Sequence, residues 1–259
     1  MNRSTLGGIV LAIVGITIGL YLDGGNIGQM LQPTAALIVF GGTLGAVMVQ
    51  FPFSVVKRAA LQMKDIFFGV DDPAPGLIEN ILRYSATARR SGLISLDAEL
   101  ELIEDPFLRE SLTLAVDGID SAELRRRMEL AMDREADSDD VIPRVFEAAG
   151  GFAPTIGILG AVIGLIQVMQ RLENINAVGK GIAVAFVATI YGVGSANILF
   201  LPIAGRMKSV MQRKQVLREL MLDGVISIME KTSPRALQAK LAVYQCERAQ
   251  TAKVKLVAG

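Results

Sequence analysis

Two long uncharged apolar runs, residues 152–169 (FAPTIGILGAVIGLIQVM) and 181–203 (GIAVAFVATIYGVGSANILFLPI), constrain this chain more than any other feature. Each is close to the roughly 20 residues that a helix needs to cross about 30 Å of hydrocarbon. Buried helices of soluble domains rarely stay free of Asp, Glu, Lys and Arg for so long, so the pair reads as a transmembrane hairpin closed by the polar segment 170–180. What interrupts the runs is two prolines, Pro154 and Pro202, and two threonines, Thr155 and Thr189.

The rest of the chain is mixed in character. Over 259 residues, 51% are hydrophobic and 20% charged, with a mean hydropathy of +0.45. That is too apolar for an ordinary soluble protein and too charged for one that lies wholly in lipid. The 26 basic and 26 acidic residues cancel, which gives no support to a nucleic-acid-binding surface. Histidine is absent and Cys246 is the one cysteine. Most zinc, haem, imidazole and thiol chemistry is thereby excluded, as is an intramolecular disulfide. Cys246 has no activating neighbour in sequence and reads as a packed or idle thiol. No phosphate-binding glycine loop, nucleophile elbow or metal-ligand cluster occurs, so neither an enzyme nor a cofactor is expected.

Two further apolar runs precede the hairpin, at 6–22 and 34–51. The first has only Arg3 upstream and no small-residue cleavage pattern near Asp23-Gly24-Gly25-Asn26, so it reads as an uncleaved span rather than a signal peptide. Pro33 opens the second, where a helix tolerates proline best. Four spans result, paired one with two and three with four. The turn at 23–32 carries no Lys or Arg, whereas Lys57, Arg58, Lys64, Arg134, Arg144, Arg206, Lys208, Arg213 and Lys214 flank the other ends. The positive-inside rule then places both termini and the long middle segment in the cytoplasm, although Arg171 and Lys180 run against it. Gly15-x-x-x-Gly19, Gly41-x-x-x-Gly45 and Gly160-x-x-x-Gly164 are expected to support close helix packing, within the subunit and between subunits.

The fold class expected is thus all-α and membrane-integral: four transmembrane helices, a helical cytoplasmic domain between spans two and three, and a helical cytoplasmic tail. The domain limits are 1–51, 52–147, 148–203 and 204–259. In the middle domain, helices are expected at 76–91, stopped by Gly92, and at 96–116, capped by Ser95. The spacing Asp120-Ser-Ala-Glu123 is that of a capping box. Acidic residues in 97–110 and 133–140 face a basic tail from Arg206 onward, either as packed partners or as independent solvated surfaces. Span four should continue as a helix through 207–230, end at Ser233-Pro234, and be followed by an amphipathic helix over 235–249.

An ion conductor generally needs an ionisable group within the membrane, and these runs have none; Asp23 lies only at the outer edge. Either the chain moves no ions or a partner supplies the carboxylate. Pro154, Ile158, Ala161 and Leu165 share a face of span three with Thr155 beside it; Thr189 lies near mid-span in span four. Pro154 and Pro202 both fall near the cytoplasmic ends of their spans. They set helix ends and kinks, or act as hinges between an ion path and the cytoplasm. Thr155 and Thr189 are equally placed to bond back to their own helices.

FAPTIGILGAVIGLI, VATIYGVGSANILFLPIA, LMLDGVISIMEKTSPR and ATARRSGLISLDAELE together resemble the A subunits (MotA/PomA) of the bacterial flagellar stator, in the wider MotA/TolQ/ExbB family, across essentially the whole chain. The resemblance implies an inner-membrane homopentamer of A chains around a dimer of B subunits (MotB/PomB-like) that carry the ion-binding Asp. It also implies that ion flow turns the ring and that the cytoplasmic domain pushes the rotor protein FliG. By position it carries over Pro154, Pro202 and Thr189 to the ion path and its coupling, and Asp97, Glu99 and either Arg89 or Arg90 to the rotor contact. Sodium-driven members have Thr where this chain has Ala161, so one candidate sodium-coordinating oxygen is missing and protons are the ion implied. The alternative is an ExbB/TolQ-like energiser, against which the amino-terminal hairpin counts.

Overall fold

The computed structural model describes residues 3–67, 73–170, 172–173 and 175–244, and among them every regular element is helical. The expectations for Cys246 and for a helix beyond 244 lie outside the described residues. In chain order the elements are α1 (Arg3–Leu22), α2 (Pro33–Gln50), α3 (Phe53–Phe67), α4 (Ala74–Ser91), α5 (Pro106–Val116), α6 (Ser121–Met169), α7 (Ile175–Ser195), α8 (Leu201–Met229) and α9 (234–244). A π-helical turn, Ala196–Phe200, joins α7 to α8, and another, Leu37–Gly41, widens α2. Among the described residues, α2 and segments of α6 and of the α7–α8 rod are long and apolar enough to cross a membrane; the apolar helix Gly7–Leu22 is shorter.

The chain divides into two units, Met1–Val70 with Asp139–Val210, and Asp71–Ser138 with Met211–Gly259. Both boundaries on the carboxyl side fall inside long helices, α6 and α8.

In the first unit, glycine decides how the apolar helices meet. A Cβ placed on Gly192 would lie 2.5 Å from the Ala153 carbonyl oxygen, one on Gly157 2.9 Å from that of Ala188, and one on Gly164 2.9 Å from the Ala185 nitrogen. The backbones of α6 and α7 therefore touch directly, the arrangement that close packing in lipid favours. Helix α2 lays Ala35 and Val39 on Val187 and Ala188 of α7. The Tyr191 hydroxyl fixes this contact by donating to the Met30 carbonyl at 2.5 Å and accepting the Gln32 amide at 3.3 Å. Its ring stacks on Phe40 at 5.9 Å. The other two glycine pairs make no such approach within the subunit. Among the described residues, Gly15, Gly19, Gly41 and Gly45 have nothing within 4 Å of where a Cβ would sit. It is Gly42, beside one of those motifs, that meets Ile156. Spacing alone names a face but not its neighbour.

Pro52 ends α2, because a residue before proline avoids the helical region and Phe51 is extended (φ −125°, ψ 140°). The following α3 is amphipathic and groups with the apolar helices. It buries Ala59, and Arg58 pairs with Asp139 of α6 at 3.1 Å.

The second unit has a core of Ile81, Leu96, Leu108, Leu112, Leu124, Met128, Leu220, Val225, Leu237 and Leu241, drawn from α4, its connector, α5, α6, α8 and α9. Gly92 stops α4 at φ 85°, a conformation that glycine adopts without a Cβ penalty. The single helix expected over 96–116 is split. Its first part is a 3₁₀ turn, Leu93–Leu96, and one helical turn, Asp97–Leu100; α5 then restarts at Pro106. Proline cannot continue a helix but suits its first position, and the Asp105 carboxylate caps α5 by accepting the Phe107 and Leu108 amides at 2.9 and 3.1 Å. Ser95 is no cap; its hydroxyl donates to the Gly92 carbonyl. Half of the capping box forms: Asp120 accepts the Ala122 amide at 3.0 Å, while Glu123 turns to Arg126.

Acidic and basic segments do meet in this unit. The Arg218 side chain, 12% exposed, reaches Asp105 at 2.7 Å and Glu135 at 3.4 Å and lies over the Phe107 ring. Asp223 of α8 accepts from Arg125 (3.0 Å), Lys240 (3.2 Å) and the Tyr244 hydroxyl (2.7 Å), tying α6, α8 and α9 together. Burial pushes the Asp223 carboxyl up, but the bonds from Tyr244, Arg125 and Lys240 outweigh it and hold the pKa below its ordinary value. A depressed carboxylate contributes stability that is present above its unfolded pKa, about 3.9, and is lost as pH falls through the folded one. Asp223→Asn is therefore expected to weaken the attachment of α9 at neutral pH and to flatten its acid dependence. Hydrogen exchange of the 234–244 amides across a pH series measures both.

Candidate functional site

The α6–α7 pair presents two unlike faces. Ala153, Gly157, Gly160, Gly164 and Val168 of α6 are buried, as are Gly181, Ala185, Ala188 and Gly192 of α7. The opposite faces are exposed: Ile158, Leu159, Val162, Leu165 and Ile166 on α6, and Ile182, Phe186, Ile190 and Val193 on α7, with Phe186 69% exposed. Each exposed set recurs every three or four residues, as one stripe of a helix does. No ionisable side chain lies in either stripe.

Pro154 and Ala161 are half-buried at the edge of the α6 stripe, while Thr155 is exposed. Pro154 lies in the interior of α6, where it removes a donor from the carbonyl four residues back, Gly150. The Thr155 hydroxyl donates to the Phe152 carbonyl at 2.8 Å, and the half-buried Thr189 to that of Ala185 at 3.3 Å. Both threonines thus bond back to their own helices and keep lone pairs for an acceptor role. Pro202 is exposed and follows directly on the π turn, whose last bond runs from the Leu201 amide to the Ala196 carbonyl. A widened turn of this kind accommodates a residue that lacks an N–H, and such turns are frequent at functional sites.

The two prolines are not level. Ala153 meets Gly192, whereas Gly150 meets Leu201. Pro154 and Pro202 are therefore offset by more than one helical turn of about 5.4 Å. Asn197 escapes a search for ionisable groups. It is an exposed amide within an otherwise apolar run, and its Nδ2 donates to the Val193 carbonyl at 2.9 Å. The available signal was a carboxamide in a span.

The charged set at the end of α4 separates into two roles. The Arg89 guanidinium donates to the carbonyls of Lys231 (3.4 Å) and Thr232 (3.0 Å), just past the carboxyl end of α8. Arg90 and Asp97 are exposed. Glu99, half-buried, lies 3.6 Å from the exposed Arg83, a partly solvated pair of the kind that contributes little to stability. Ile94, in the connector between Arg90 and Asp97, is 77% exposed.

Known proteins resemble this chain throughout. The model for the amino-terminal region of motility protein A matches residues 6–73, and that for the MotA/TolQ/ExbB proton channel family matches residues 99–220. Motility protein A of Bacillus subtilis (strain 168) is 33% identical over 249 residues, which cover 94% of this chain and 91% of that protein. The flagellar MotAB stator complex from Bacillus subtilis contains a chain with a TM-score of 0.88 and 33% identity, covering 97% of this chain and all (100%) of that one. A chain of C. jejuni MotAB gives 0.89 at 30% identity, covering 94% and 96%. The chain belongs to the motility protein A group of the MotA/TolQ/ExbB proton channel family.

Proposed function

We infer that this chain is a stator subunit of the bacterial flagellar motor that forms a proton channel with a B subunit and converts ion flow into torque. The observation that carries this is the conjunction of whole-chain similarity to motility protein A and MotAB chains with a closely packed helix pair whose exposed stripes hold no ionisable group. A channel so built takes its ion-binding carboxylate from another chain. The energiser alternative is not favoured, since residues 6–73 match the amino-terminal region of motility protein A.

In the finer reading, α1, α2 and the apolar stretches of α6 and α7 are four spans of the inner membrane, with both termini and the second unit cytoplasmic. Five copies surround two B subunits. The α6 and α7 stripes face the B helices, with Thr155, Ala161 and Thr189 along the ion path. The two proline-modified helix segments transmit the ion event, and Ala161, which offers no hydroxyl, fits protons rather than sodium.

For the rotor contact, FliG in this reading, the geometry separates two adjacent arginines. Arg89 holds the end of α8, whereas Arg90 and Asp97 are free to meet charges on a partner. Arg90→Ala is expected to reduce torque with little change in the amount of folded protein. Arg89→Ala is expected to lower the stability of the second unit by about 1–2 kcal/mol, since it strips a charged donor from two carbonyls. Swimming assays with membrane immunoblots and thermal melts distinguish the two; the reverse pattern overturns the assignment.

A further inference from the structure

The apolar run that forms α7 and its π turn holds four polar side chains that could meet an ion. Tyr191 is bonded to Met30 and Gln32, Ser195 is buried on the Gly192 carbonyl, and Thr189 is half-buried with its hydroxyl donating to the Ala185 carbonyl. Asn197 alone is exposed. It continues the outward stripe of Phe186, Ile190 and Val193, so its amide faces whatever that stripe faces. A carboxamide against lipid tails would be costly without a partner. One turn of the helix also offers more than this amide. The Leu201 amide reaches back five residues to Ala196, and Pro202, next in line, has no N–H. Position 202 therefore gives nothing to the carbonyls four and five residues back, Ile198 and Asn197. One Nδ2 hydrogen of Asn197 is committed to the Val193 carbonyl, and Oδ1 remains as an acceptor on this exposed side chain.

The contacts of α6 fix the depth of this turn. Gly192 meets Ala153 and Leu201 meets Gly150, so Asn197 lies between those levels, beside the turn of α6 that precedes Pro154. Thr155, whose hydroxyl donates to Phe152 and keeps its lone pairs, is the nearest exposed polar side chain of α6 along the same stripe.

We infer that Asn197 is the polar acceptor that carries the hydrated proton through the proline-flanked end of the ion path, with the carbonyls released by Pro202. It rests on the stator reading given above. The amide is never protonated and no protein bond forms or breaks. Its oxygen accepts a hydrogen bond from a file of water, along which the proton passes from one water oxygen to the next. The π turn then has a chemical purpose besides fitting a proline, because the Leu201 amide that a regular helix would give to the Asn197 carbonyl goes to Ala196 instead.

The test uses cells whose only A subunit is this full chain, expressed with its B partner, and follows a bead on the flagellum at low and high load in H2O and D2O. Low-load speed depends on ion transfer and stall torque on mechanics. Asn197→Leu is expected to slow low-load rotation by about tenfold, the effect of one lost hydrogen bond on a transfer step. The solvent isotope effect should rise while stall torque is kept. Asn197→Gln, which retains the amide, should keep most of the speed. Asn197→Ser, the milder change where leucine lowers the membrane level, should fall between them. Wild-type low-load speed in the leucine or serine variant overturns the inference. So does loss of speed and stall torque in equal proportion with an unaltered isotope effect. Failure of the unaltered chain to turn the motor overturns the stator reading itself, and this inference with it.

Discussion

Gly192→Val is expected to remove the protein's activity and most of the folded protein from the membrane. A Cβ at this position would stand 2.5 Å from the Ala153 carbonyl oxygen and 3.0 Å from the Gly157 Cα, both backbone atoms that no rotamer change can move aside. Accommodating it means separating α6 from α7, which strips contacts along Gly157, Gly164 and Gly181 as well. Overpacking a well-packed core costs about 1–3 kcal/mol, and a clash of a side chain with fixed backbone sits at the top of that range. Gly194→Val is the control, because nothing lies within 4 Å of its Cβ position. The glycine-to-valine change there carries only the ordinary helix-propensity difference, well under about 1 kcal/mol. Membrane level and resistance to thermal aggregation in detergent measure the contrast. Equal behaviour of the two variants contradicts the packing described.

The second large effect concerns ion flux. Liposomes containing this chain alone are expected to show no proton leak above that of empty vesicles, since neither exposed stripe holds an ionisable group. Vesicles containing the chain with its B partner are expected to leak measurably, through a path that this chain lines and its partner charges. Flux from the chain alone, carried equally well by a Thr189→Val variant, contradicts a partner-supplied carboxylate.

Much of this architecture is legible in the residues, and what is not has physical causes. Uncharged runs of span length have few soluble alternatives, so the apolar helices of the α6–α7 pair stand out at once. Gly92 marks its helix end because its positive φ is one that residues with a Cβ avoid. The break before α5 was equally available: Asp105-Pro106 is a cap followed by a first-turn proline. The apolar periodicity that continues across both pieces obscured it. The glycine pairs show a different limit. Gly160-x-x-x-Gly164 and Gly41-x-x-x-Gly45 are indistinguishable as patterns, yet one is pressed against α7 and the other has no described residue within 4 Å of its Cβ positions. Arg89 and Arg90 are neighbours in sequence but point about 100° apart on a helix. Only the position of the α8 carboxyl end shows which of them is occupied. Asn197 carries no charge and so gives no ionisable signal, although in an apolar span an amide is also a polar group in need of a partner.

The most direct measurement of the central claim is rotation in cells whose only stator A subunit is this chain with its B partner, while proton and sodium gradients are varied separately. Rotation that persists without sodium and stops when the proton gradient is collapsed is the expected result. Rotation that follows the sodium gradient contradicts proton coupling and the argument from Ala161. No rotation, with chain and partner both present together in the membrane, contradicts the assignment as a flagellar stator.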